Sequence, residues 1–164
     1  MTPTSPLLRC ALGAASLLAL PAFAGPSDPK ILEFATMAGV AAPYTGGTNA
    51  IRGVPGGGLP WVLDEAKGEL RSDGRLEVQV RGLVLAAGAN TGTNPIPAFR
   101  AIVSCLSIND AGEANTVNVG TAPFPASSTG DAKIEATVEL PDPCYAPIVF
   151  VTSPAGSWFA VTGQ

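Results

Sequence analysis

The chain contains no histidine. That absence removes Ser-His-Asp and Cys-His nucleophiles, histidine general bases, and metal or haem sites held by imidazole. Charge is also scarce: only 13% of residues are Asp, Glu, Lys or Arg. The nine basic residues are outnumbered by thirteen acidic ones, for a net charge of −4. An acidic chain without a basic cluster does not suit nucleic acid or an anionic membrane surface as partner. Beyond residue 24 no stretch is apolar for long enough to form a transmembrane helix. Cysteine is limited to Cys10, Cys105 and Cys144.

What is present at the start is an address. Arg9 supplies a positive charge and Ala11–Leu20 an apolar run too short to span a bilayer. Ala22-Phe23-Ala24 then fits the small-x-small cleavage rule. Residues 1–24 are therefore expected to be a signal peptide, and the mature chain to begin near Gly25 in the periplasm or outside the cell. Losing Arg9 takes the net charge from −4 to −5. Cleavage also removes Cys10. Two cysteines left in an exported chain read as one disulfide, Cys105–Cys144. Closing a loop of about 40 residues stabilises by about 4 kcal/mol in the chain-entropy picture. With both thiols bonded no cysteine is left for zinc, and no cofactor is expected.

The clearest local signal lies between Gly130 and Cys144. From Ala132 to Leu140 apolar and polar residues alternate without error, which puts Ile134 and Val138 on a core face and Glu135 and Glu139 in water. Pro141 and Pro143 cannot donate to a ladder and are expected to stop the strand. Further strand signals are Trp61–Leu63, Lys67–Arg71, Leu76 to Val80, and Phe99, Ala101, Val103 and Cys105 on one face. Val117 with Val119, Ile148–Val151 and Trp158–Val161 complete the set. Turns are expected at Asp73-Gly74, as a two-residue hairpin with both residues at positive φ, at Asn109–Glu113, and at Ser153–Gly156. Gly82, where alternation fails, reads as a bulge. The total is about seven to nine short strands, an all-β antiparallel sandwich occupying residues 61–164.

Residues 25–60 are Gly- and Pro-rich, with Tyr44, Ile51 and Val54 apolar enough to pin them to the body. They read as an ordered wrapping segment of the same domain. Leu83-Val84-Leu85 lacks a polar face, so the segment is expected to pack near it, with Gly53–Gly58 bordering a binding surface.

One disulfide in a sandwich resembles immunoglobulin-like architecture. Trp61 and Trp158 both fall outside the Cys105–Cys144 interval, unlike the tryptophan of true immunoglobulin domains. The Cu/Zn superoxide dismutase sandwich is similar in shape only, because its metal site needs histidines. The strings Arg52-Gly53-Val54-Pro55-Gly56-Gly57-Gly58-Leu59-Pro60-Trp61 and Thr93-Asn94-Pro95-Ile96-Pro97 resemble those of small exported bacterial proteins without an assigned activity. That resemblance implies no functional residues.

Gly53–Gly58 is not a phosphate loop, since no Lys-Ser/Thr and no helix pattern follows. Carboxylates are the remaining acid–base groups: Asp64, Glu65, Glu69 and Asp142. Paired carboxylates cleave glycosides when about 5–10 Å apart. Aromatics offer stacking: Trp158 and Phe159 are adjacent and so face opposite ways, one into the core and one exposed, or else both are interior along with Trp61. The expected function is a non-enzymatic exported binding or structural module. Its partner is an unknown protein or small ligand outside the cytoplasm, met at a surface drawn from Trp61, Gly56, Gly57, Leu83, Leu85 and Trp158. The alternative is a small carboxylate-based secreted hydrolase. The cysteine pairing is checked by mass spectrometry of the non-reduced mature chain. A cross-linked pair of peptides is expected, and two alkylatable thiols would contradict it.

Overall fold

A computed structural model describes Met1 and residues 28–163. The expected cleavage point and almost all of the expected signal peptide lie outside the described residues. Twelve strands follow one another: β1 (Lys30–Phe34), β2 (Met37–Gly39), β3 (Trp61–Val62), β4 (Glu65–Arg71), β5 (Arg75–Arg81), β6 (Val84–Leu85), β7 (Ala98–Ile108), β8 (Ala114–Gly120), β9 (Phe124–Pro125), β10 (Ala132–Thr137), β11 (Tyr145–Thr152) and β12 (Trp158–Thr162). The number exceeds the seven to nine expected because β2, β6 and β9 are only two or three residues long. A segment that short has no period to read. No helix occurs among the described residues, and none is long and apolar enough to cross a membrane.

Strand order is β1-β4-β5-β10 in one sheet and β2-β12-β11-β7-β8 in the other, with β9 paired to the start of β7 and a two-stranded ribbon of β3 and β6. Every strand pairing is antiparallel. Leu70, Leu76, Val78 and Ile134 of the first sheet share one buried cluster with Phe99, Ala101, Val103, Val149 and Val151 of the second.

The alternation read at Ala132–Leu140 holds: Ile134 and Val138 are buried, Glu135 and Glu139 exposed. The strand itself stops at Thr137, earlier than the prolines. Its partner β5 begins at Arg75, opposite Thr137, so there is no further ladder to join. Val138 instead donates its N–H to the Gly74 carbonyl at 3.0 Å. The β4–β5 connection is a correction of another kind. Only Gly74 has positive φ, +83°, and its N–H bonds the Arg71 carbonyl at 3.0 Å. The turn is therefore a three-residue loop, Ser72–Gly74, with glycine at the left-handed position. The Asp73 carboxylate accepts the Arg75 N–H at 3.0 Å and fixes it. At Gly82 the chain does not bulge within a strand. It leaves the sheet, and its N–H bonds the Asp131 carboxylate at 3.1 Å.

Cys105 and Cys144 are bonded. Cys105 is wholly buried on the inward face of β7. Cys144 directly precedes β11, whose Tyr145 lies opposite Leu106. The bridge therefore joins neighbouring strands of one sheet, with Cys105 on the core-facing side as expected.

The wrapping segment crosses the outer face of the second sheet. Arg52 reaches down with Nη1 to the Ser104 carbonyl and the Ala146 carbonyl, each at 2.9 Å. Asn118 Nδ2 donates to the Arg52 carbonyl at 2.9 Å. Trp158 N–H bonds the Pro55 carbonyl, and Gly57 N–H returns to the Trp158 carbonyl, both at 2.8 Å. Val54, only 3% exposed, joins the buried cluster and Ile51 packs against it. Tyr44 does not pin the segment; its side chain is exposed. Substituting Val54→Ala is expected to cost about 1–3 kcal/mol in urea unfolding, as is Val138→Ala. Glu139→Gln is expected to stay within about 0.5 kcal/mol. Equal stability of Val54→Ala and the parent would show that the segment seals nothing.

Candidate functional site

The six residues expected to form a binding surface are all buried: Trp61, Gly56, Gly57, Leu83, Leu85 and Trp158. They do not share one face. Trp61 stacks on Phe159 with ring centres 4.0 Å apart and meets Phe99 edge-on at 6.3 Å. Trp158 and Phe159 do face opposite ways, yet neither is exposed. Phe159 fills the space between sheets, while Trp158 lies against Phe150, centres 6.0 Å apart, on the face that the wrapping segment covers. A Cβ on Gly56 would collide with the Tyr44 carbonyl, and one on Gly57 would press on the Phe159 and Trp61 rings. Glycine is there so that backbone can approach backbone. Leu85 pairs with Trp61 across the β3–β6 ribbon, and the Leu83 N–H bonds the Gly130 carbonyl at 3.0 Å. The segment meets this ribbon at its end, where the Pro60 carbonyl accepts the Ala86 N–H at 2.9 Å.

Charge is concentrated elsewhere, on the outer face of β1, β4, β5 and β10. Register places Glu33 opposite Glu69, Glu69 opposite Glu77 and Glu77 opposite Glu135. Four glutamates thus form a row across the whole sheet. Beside it runs a row of Lys67, Gln79 and Lys133. On the other side Lys30 lies opposite Arg71. Like charges directly opposite one another are unfavourable in a sheet, and the flanking cations offset this. Lys30 Nζ lies 2.8 Å from Glu33 and 2.7 Å from Glu69, Arg71 lies 2.7 Å from Glu69, and Lys133 lies 2.6 Å from Glu135 and 3.4 Å from Glu77. All ion pairs found among the described residues are on this sheet or its hairpin. Between Glu33, Lys67, Glu77 and Gln79 an open groove of about 530 Å³ has the Phe34 edge and Gly68 as its floor.

No family model, curated protein or solved structure matches the chain.

The four carboxylates singled out in the sequence do not converge as a set. Glu65 is held by Lys67 at 3.5 Å and Arg81 at 3.6 Å. Glu69 sits in the groove wall, and its carboxyl is pushed below the usual range, first by the Lys30 hydrogen bond and then by Arg71. Asp142 lies in a separate shallow pocket with Ile31 and Cys144. Among the described residues no three His, Cys, Asp or Glu side chains gather as metal ligands. Asp131, not singled out in the sequence, does local structural work. The Gly82 N–H, then the Thr129 hydroxyl, stabilise its charged form and lower its pKa. Asn94, also missed, is buried and donates to the Ile96 and Ser127 carbonyls at 2.7 and 2.8 Å. The glutamate row was invisible because each of its members is an ordinary outward residue on its own strand, and only register aligns them.

The signs of these shifts set a pH profile. Glu69 has a lowered folded-state pKa, so its stabilisation is present above the ordinary carboxylate value of 4.5 and is lost as pH falls below it. Asp131 adds to the same acid limb from an ordinary value of 3.8. Lys30 and Lys133 have raised values, first through Glu33 and Glu135 respectively, so their contribution is lost as pH rises past 10.5. Thermal melts from pH 3 to 11 are expected to show a plateau falling at both ends. Glu69→Gln should shrink the acid limb, and high salt should shrink it too. An acid limb identical in Glu69→Gln and the parent would contradict this assignment.

Proposed function

We propose that this chain is an exported binding module of immunoglobulin-like sandwich architecture that meets a polar partner with the charged outer face of β1, β4, β5 and β10. The observation that carries this reading is the division of the molecule into two unlike faces. The second sheet is closed over by the wrapping segment. The first presents ordered rows of carboxylates and cations around an open groove. Such a surface suits a hydroxyl-rich or mixed-charge ligand, for which many weak polar contacts replace one buried anchor. The order of the chain supports the architecture. The β4–β5 hairpin shares a sheet with β10, the β7–β8 and β11–β12 hairpins share the other, and the chain crosses between layers after β1, β2, β5, β9 and β10. The leader pattern and the Cys105–Cys144 bond support export.

The hydrolase alternative needs a carboxyl held protonated near neutral pH. Glu69 is shifted the opposite way, which does not suit it to the acid's role. The test is a screen of the mature protein against envelope polysaccharides and secreted proteins at low and high salt, beside Lys67→Glu. Salt-sensitive binding that Lys67→Glu weakens about tenfold or more, with an unchanged melting temperature, is expected. Turnover of a glycoside that is abolished by Glu69→Gln or Glu77→Gln would replace this reading with the hydrolase.

A further inference from the structure

The free sheet edges are not alike. β1 carries Lys30 and Glu33 and a register shift between Lys30 and Leu32. β10 carries Lys133 and Glu135, and β2 is three residues long. These are ordinary ways of blunting an edge against pairing. β8 uses none of them. Ala114–Gly120 is seven residues of Ala, Asn, Thr, Val and Gly, without charge or proline, paired in unbroken register to β7 on one side only.

The bonds at the two ends of this pairing fix which groups are free. Asn109 N–H bonds the Glu113 carbonyl, and Thr121 N–H bonds the Ala101 carbonyl, each at 2.9 Å. Hydrogen-bonded and non-bonded pairs alternate along an antiparallel ladder. Asn115, Val117 and Val119 therefore turn their backbone groups to β7. Ala114, Thr116, Asn118 and Gly120 turn theirs outward, to an edge that no other described strand meets.

We infer that β8 pairs antiparallel with β8 of a second copy of this chain, about a two-fold axis through Val117. In that register Ala114 meets Gly120 and Thr116 meets Asn118. Each outward-facing residue of one copy thus finds an outward-facing residue of the other, and none is left over. A register displaced by one residue would set outward groups against inward ones. A two-residue slip would leave an end unpaired. No charge faces its own copy, because the strand has none. Val117, partly exposed in the monomer, meets its own counterpart on the axis, and Asn115 meets Val119 on the same face. Leu106 and Ile108, large and exposed on the neighbouring strand β7, lie beside the seam opposite Thr116 and Ala114. The two five-stranded paths become one continuous ten-stranded sheet. A foreign strand would meet the same backbone groups; the absence of charge along Ala114–Gly120 favours a second copy, since the edge can face its own likeness without repulsion.

The test is sedimentation of the mature protein from micromolar to millimolar concentration, with amide hydrogen exchange at both ends of the range. The expected result is a dimer at high concentration, with exchange at Thr116 and Asn118 slowed about tenfold or more relative to the dilute sample. Thr116→Pro removes an outward N–H and leaves the β7 ladder intact, a position that tolerates proline on an edge. Thr116→Lys places charge at the seam without touching the backbone, and serves if the proline variant fails to fold. Each is expected to be monomeric throughout. A parent protein that stays monomeric with fast-exchanging edge amides overturns the inference. So does a folded variant that dimerises like the parent. Neither result bears on the charged face, which lies on the other sheet.

Discussion

A strand with tryptophan and phenylalanine at consecutive positions puts large apolar rings on both faces of its sheet, and both rings must be kept from water. This constraint at Trp158 and Phe159 organises the molecule. Phe159 is satisfied in the ordinary way, against Trp61 and Phe99 between the layers. Trp158 and its neighbour Phe150 point away from the first sheet and need a second cover. The irregular segment before β3 provides it. Its backbone is bound to the backbone of β12 and anchored through Arg52 to the carbonyls of Ser104 and Ala146. The cover is itself short of apolar side chains, so it relies on hydrogen bonds and close backbone approach where a helix or a third sheet would rely on packing.

Much of this was legible in the sequence where the physics is periodic. The alternation from Ala132 onward correctly assigned burial at Ile134, Val138, Glu135 and Glu139, and the shared face of Phe99, Ala101, Val103 and Cys105 is as read. The isolation of Cys105 and Cys144 was enough to pair them. What failed was non-periodic or non-local. Trp158 reads as a surface candidate because its cover comes from about a hundred residues upstream in irregular backbone, which carries no pattern. Gly56 and Gly57 suggest a surface border from sequence, whereas their missing side chains serve close packing against Tyr44, Phe159 and Trp61. The glutamate row and the groove depend on register between four strands, a quantity that no single strand contains.

Closing one sheet over leaves the other to carry the exposed chemistry. The first sheet is clothed almost wholly in ion pairs, while the second is covered or lined with neutral side chains. Surface ion pairs add little to stability one at a time. Their value here is arrangement: rows of fixed sign at the regular spacing of a sheet form a patterned surface, stiff because the backbone beneath it is stiff.

The disulfide has a mechanical consequence. It ties β7 to the residue just before β11, two strands that already lie side by side in one layer. A load that shears these strands past each other is carried by a covalent bond. A load that lifts one layer off the other is opposed by apolar contact between them and by no disulfide. The molecule is therefore anisotropic, strong in the plane of its larger sheet and weak across the gap between sheets. Under tension the layers would part before the bridged strands slide.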